Sequence, residues 1–205
     1  MNPIQSYNLN LDLDRLKRDC RRINNKVFKE YGNLDVPKDT KYQEVLAGQL
    51  EDAPMSSKLH DYYNVFSFPY DGINELYSKI VMIFKQVCKY EGPYYVHAWL
   101  NYQNKGESIP WHHHWGKLSG LEKTFVATYC VNAEPSITTY KFPEDKTYIM
   151  NNGNNTMTIY EDIGDIHMVD EWTQDEPRIT ISMDFVPMKY IQGSPFLLNT
   201  WIPVL

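Results

Sequence analysis

Two stretches in the first ninety residues carry apolar side chains at steps of three and four. In the first, Leu13, Leu16, Cys20, Ile23, Val27 and Tyr31 alternate with Arg and Lys, which predicts a helix with one buried face, ended by Gly32. In the second, Ile73, Leu76, Tyr77, Ile80, Phe84 and Val87 form the apolar side, with Asp71 as the expected cap. Residues 33–70 between them show no sustained period and contain Pro37, Pro54 and Pro69. They predict a long irregular crossing, with one short helical turn near Tyr42 to Leu46, that covers a sheet face or lines a pocket.

After Tyr90-Glu91-Gly92 the period shortens to that of strands. Candidates run at 93–103, 108–115, 123–131, 136–141, 146–150, 156–160, 164–169 and 178–187, separated by Gly, Pro, Asn or charged turns. Eight short strands after two helices predict a mainly β, double-stranded β-helix (jelly roll), a small barrel with the two N-terminal helices packed on its outer face. The expected organisation is one domain over 1–205. Residues 1–90 form a helical and irregular part, 91–187 the jelly-roll core and 188–205 a tail, whose apolar end from Phe196 to Leu205 is expected to pack back on the same chain.

Composition adds constraints without changing this picture. An apolar fraction of 42% with 16 tyrosines supports a packed core and argues against disorder. Twenty basic against 26 acidic residues, a net charge of −6, provide no footprint for a nucleic-acid backbone. The Arg15-Lys17-Arg18 and Arg21-Arg22 clusters read as a solvated helix face. Three widely spaced cysteines, Cys20, Cys88 and Cys130, argue against a disulfide framework and for the cytoplasm. No stretch has the length and apolarity to span a membrane. Oligomeric state stays open.

The histidines carry the candidate chemistry. His112 and His114 flank His113, and strand alternation turns 112 and 114 to one face and 113 to the other. A return strand entered at Gly164 can bring His167 beside them, giving a three-ligand site for a metal that imidazole suits: iron, nickel, copper or zinc. Arg178, Thr180 and Ser182 share one face of the alternating run Arg178-Ile-Thr-Ile-Ser-Met-Asp-Phe185. A guanidinium beside a hydroxyl is a receptor for one carboxylate, and a dicarboxylate would give the arginine reason to face inward.

With these residues in place, a resemblance emerges. The stretch Asn104 to Ser119 with its triple histidine, the strand Thr124 to Val131, Gly164-x-x-His167 with Val169, and the run from Arg178 resemble the 2-oxoglutarate and iron(II) dependent dioxygenases, especially small prolyl-hydroxylase-like and bacteriophage-type members. The similarity covers residues 93–187, about half of the chain. It implies Fe(II) as cofactor and 2-oxoglutarate as cosubstrate, decarboxylated to succinate while a substrate carbon is hydroxylated. It also implies that His112 or His113 is the proximal iron ligand, His167 the distal one, and Arg178 with Thr180 the clamp on the far carboxylate. By the same resemblance His97 and Asn101, with Tyr102 as a weaker candidate, contact the cosubstrate or line its pocket, and Tyr129 reaches the carboxylate held by Arg178. The substrate would be a small molecule or a peptide or protein side chain. The setting would be the cytoplasm of a bacterial cell or a virus-infected host.

One departure is plain: with His112 as first ligand, His114 stands where the pattern has Asp or Glu, and with His113 as first ligand, Trp115 does, which cannot ligate. A three-histidine triad is favoured because parity already joins 112 and 114. The alternatives are a carboxylate from Glu107 or Glu122, or an open coordination position. Two rival readings also stay open. A cupin is suggested by the spacing from Gly106 to His112-x-His114 and by Gly164-x-x-His167, although Glu122 lies too far on and Asp162 replaces the expected proline. A non-enzymatic jelly roll would hold a structural metal or none.

Overall fold

The computed structural model describes residues 3–33, 54–88, 92–114, 122–144, 146–191 and 200–204. The helical turn expected near Tyr42 to Leu46 lies outside them. In chain order the elements are β1 (Gln5–Asn8), α1 (Leu13–Tyr31), α2 (Met55–Lys58), two 3-10 turns (His60–Tyr62 and Val65–Ser67), α3 (Asp71–Val87), β2 (Tyr94–Gln103), β3 (Ile109–His112), β4 (Phe125–Asn132), β5 (Ile137–Phe142), β6 (Lys146–Asn151), β7 (Thr156–Glu161), β8 (Ile166–Val169), β9 (Arg178–Pro187), α4 (Met188–Ile191) and β10 (Ile202–Val204).

All eight expected strands form, and with the unexpected β1 and β10 they pair antiparallel into two sheets: β1-β7-β4-β9-β2-β10 and β3-β8-β5-β6. This is the layering of a double-stranded β-helix, but among the described residues no strand pairing joins the two sheets into a closed barrel. The expected pair of N-terminal helices is also corrected. Only α1 is properly N-terminal, and α3 enters after the short turns, directly before the first long strand. The Asp71 cap is wrong as well. Tyr70 is the N-cap residue, without a side-chain cap bond, and Asp71 is the first helical residue.

Alternation on the six-stranded sheet divides the molecule. One face of β9, Ile179, Ile181, Met183 and Phe185, is wholly buried with Leu16, Cys20 and Ile23 of α1 and Ile73, Leu76, Ile80 and Phe84 of α3 in a single core. Phe84 stacks on Phe185 with ring centroids 4.1 Å apart. Each such fully buried side chain contributes about 1.5–3 kcal/mol, so the helices hold this sheet rigid from behind. The junction of α1 and α3 is tied by buried Asp19, whose carboxylate accepts the Gly72 amide at 3.2 Å. The C-terminal residues pack back on the chain: Ile202–Val204 pairs with β2, and Trp201 is buried against Val186 and Ile191.

The other face of β9 carries Arg178, Thr180, Ser182 and Asp184, all buried and polar. Register sets Gln103 opposite Arg178, Asn101 opposite Thr180, Trp99 opposite Ser182 and His97 opposite Asp184. A polar seam inside a fold is stable only where its groups are paired, and this seam faces the four-stranded sheet.

Candidate metal centre and carboxylate pocket

The seam meets the histidines through strand register. His112 on β3 lies opposite His167 on β8, and His167 lies opposite Tyr140 on β5, so one row of the smaller sheet reads His112, His167, Tyr140. His114, two residues beyond β3, crosses to the larger sheet, where its Nδ1 meets Asp184 Oδ1 at 2.6 Å. Ring nitrogens of His112, His114 and His167 all lie within 4.8 Å of one another, and this is the one such cluster among the described residues. Ring centroids are 4.2 Å apart for His112 and His167, and 5.1 Å for His114 and His167.

Electrostatics keep two of the three rings available as ligands. Burial, then the neighbouring imidazoles, holds His112 and His167 well below the usual imidazole range, so both are neutral at pH 7. Burial also disfavours charge on His114, but the Asp184 carboxylate, by charge and hydrogen bond, overrides it and raises this imidazole to about 9. His112 donates from Nδ1 to the Pro110 carbonyl at 2.9 Å, which leaves Nε2 free to ligate.

The residues fit a metal ion. His167 Nδ1 is buried without a hydrogen bond, 3.4 Å from Asp165 Oδ2. Such an orphan is costly in a metal-free protein, and a bound ion accounts for it, by direct ligation or by drawing the ring toward Asp165. The donor set of three imidazoles suits iron, nickel, copper or zinc. Neither alternative carboxylate joins the cluster. The Glu107 side chain caps the Asn104 amide instead, and Glu122 is exposed. His113 also lies outside it, as parity predicts.

Arg178 is 1% exposed. Its Nε donates to Ser136 Oγ at 2.9 Å, and its Nη1 donates to Gln103 Oε1 and, at 3.4 Å, to Thr180 Oγ1. All three partners are neutral, and among the described residues no carboxylate pairs with it. Burial lowers its pKa below that of a free guanidinium. Asn101 joins the seam by donating to Ser182 Oγ at 2.8 Å, while Ser57 donates to its oxygen at 2.7 Å. Tyr140 stands beside the metal cluster. Its ring lies 5.3 Å from that of His167.

Two candidate residues are not brought to the site. Tyr129 lies on the opposite face of its strand, buried in the core under the helices, where its hydroxyl donates to Asn155 Oδ1 at 2.8 Å. Tyr102 packs against that same core. The inward positions are the even ones on β4 and the odd ones on β2, so Tyr129 and Tyr102 each sit on the opposite face of their strand. His97 does face inward, opposite Asp184, but its Nε2 is engaged with the His60 carbonyl at 2.9 Å and its ring lies 5.2 Å from those of Trp99 and Trp201. Asp184 and Tyr140 were not among the candidates. The first shares parity with Arg178 and was legible, whereas the second depends on a β5–β8 register that sequence alone does not specify.

No protein-family model matches the sequence, and no curated protein matches it. Solved structures do. AviO1 from Streptomyces viridochromogenes Tue57 is similar at TM-score 0.59 and 11% identity, over 94% of this chain and 91% of that one. A prolyl-4-hydroxylase from Pseudomonas putida is similar at 0.56 and 12%, over 90% and 92%. SnoK, a non-heme α-ketoglutarate dependent carbocyclase from nogalamycin biosynthesis, is similar at 0.56 and 9%, over 90% and 79%. What the chain shares with them is the fold, a double-stranded β-helix. With the epimerase SnoN the match is shorter, spanning 57% of this chain and 56% of that one. His112, His167 and Tyr140 sit on the smaller sheet, Arg178 on the larger, and His114 bridges from one to the other. No helix among the described residues is long and apolar enough to cross a membrane.

Proposed function

We propose that this chain is an iron(II)- and 2-oxoglutarate-dependent oxygenase that hydroxylates a small molecule or a peptide or protein side chain. The observation that carries the reading is the buried Arg178, which has only neutral partners and lies in the same interior as a three-histidine cluster. Burying an unpaired cation costs several kcal/mol. A site that takes up a dicarboxylate offsets that cost with two parallel charge-assisted hydrogen bonds. A cupin-like metalloenzyme or a structural metal site would leave this arginine without a purpose.

In this reading His112, His114 and His167 hold the ion, and Arg178 with Thr180 grips the far carboxylate of the keto acid. Ser136, Gln103 and Asn101 keep that pocket ordered, and the aromatic wall of Tyr140 and Trp99 excludes water. When bound, the iron supplies dioxygen activation driven by decarboxylation of 2-oxoglutarate. The chain's own residues orient the keto acid and keep two imidazoles neutral. SnoK's description as α-ketoglutarate dependent supports the same cosubstrate here.

The test joins metal and turnover. Anaerobic reconstitution with iron(II) should load wild type with one ion per chain. His112→Ala, His114→Ala and His167→Ala should each lose most of it, and His113→Ala should stay near wild type. Admitting air and 2-oxoglutarate should then release succinate from the loaded wild type alone. Equal iron loss in His113→Ala, or iron-loaded protein that forms no succinate, would overturn the reading.

A further inference from the structure

Three imidazoles bring no charge to a metal, whereas the pattern that this sequence resembles sets a carboxylate beside two histidines. The missing carboxylate corresponds to His114, and His114 alone among the three makes a hydrogen bond to a carboxylate; Asp165 Oδ2 lies 3.4 Å from His167 Nδ1 without forming one. Asp184 Oδ1 lies 2.6 Å from His114 Nδ1, and His112 uses a backbone carbonyl. Asp184 is buried at 4% exposure, and among the described residues no Lys or Arg pairs with it. It sits on β9, laddered between β2 and β4, with His97 and Val126 as its register partners, so its position is fixed from both sides.

We propose that Asp184 is a positioning residue of the metal centre: it holds His114 with Nδ1–H outward and Nε2 toward the ion, and lends the site the negative charge that its ligands lack. A carboxylate behind a ligating imidazole fixes tautomer and ring orientation and makes the other nitrogen a stronger donor. The charge has in effect moved one residue outward, from the ligand to the group behind it. The proposal rests on reading the three histidines as a metal site, and its test separates the two.

Asp184→Asn keeps the shape and an oxygen that accepts from Nδ1–H but removes the charge, whereas Asp184→Ala removes both. Cobalt(II) serves as the probe. Its release to excess chelator reads the bound state rather than the protonation of the metal-free site, and its visible bands report ligand geometry. Asp184→Asn should release cobalt about tenfold faster with unchanged bands, and Asp184→Ala about tenfold to a hundredfold faster with altered bands. Metal-free Asp184→Asn should also melt lower, because a buried ion pair is cut on one side, so the release rate and the bands, not the melting temperature, decide. Release as slow as wild type in both variants, or in Asp184→Asn alone, would show a merely structural ion pair and overturn the proposal. Cobalt that binds wild type, His112→Ala and His167→Ala alike would contradict the metal-centre reading itself, and this proposal with it.

Discussion

At the scale of single residues, the two faces of one strand make opposite demands. Arg178 and Thr180 look into the interior, while Ile179 and Ile181 are core. Replacing Arg178 by Lys keeps the charge but loses the fork that holds a carboxylate by two bonds. Cutting a buried charge pair on one side costs about 2–5 kcal/mol, so calorimetry on the anaerobic iron form should show 2-oxoglutarate binding weakened at least about thirtyfold. Tyr129→Phe is the contrasting case. Its hydroxyl ties Asn155, which clasps the backbone of Leu11 by both N–H and C=O, so its loss should cost about 1 kcal/mol in urea unfolding and leave the keto acid's affinity unchanged. His97 gives a pH signature. Burial, with His60 beside it, holds its imidazole at about 4. A folded pKa below the unfolded 6.5 means that its contribution is present above pH 6.5 and is lost as pH falls toward 4. From this residue alone, metal-free protein should be about 2 kcal/mol less stable at pH 5 than at pH 8. His97→Gln should flatten that limb, and a limb parallel to wild type would contradict the assignment.

At the scale of elements, the helix junction is a position where one atom matters. A Cβ on Gly72 would stand 2.7 Å from Asp19 Oδ2 and 3.3 Å from Leu16 Cδ2. Gly72→Ala must therefore push α3 off α1 or break the buried bond to Asp19, at a cost of about 1–3 kcal/mol. Because α1 and α3 lie behind the larger sheet, iron content per folded chain should not change; loss of iron at unchanged stability would contradict this layering. The elements themselves were largely legible: both long helices and all eight expected strands form where period and turn residues place them. What sequence missed were the edges. Gln5–Asn8 and Ile202–Val204 are short, lack clean alternation, and become strands only because β7 and β2 offer open edges. Parity found His112, His114, Arg178 and Thr180, because the period of two is local. It could not choose the inward face of β4, and so placed Tyr129 at the pocket.

At the scale of the whole molecule, the two sheets are separate layers, and the metal cluster is where they meet. His114 reaches from the smaller sheet to Asp184 on the larger, and Tyr140 packs on Tyr160 across the same interface at 5.6 Å. An ion held there binds the folded chain alone and should stabilise it by about 2.7 kcal/mol at a hundredfold excess over its dissociation constant. Thermal melts with and without cobalt(II) should show that shift in wild type and none in His167→Ala. The central claim is that metal cluster and Arg178 form one site for a single keto acid, and anaerobic optical titration tests it most directly. Adding 2-oxoglutarate to the iron(II) protein should produce a metal-to-ligand charge-transfer band that requires both components and, in Arg178→Lys, needs far more keto acid to appear. An iron-loaded wild type that shows no band at any 2-oxoglutarate concentration would contradict the account.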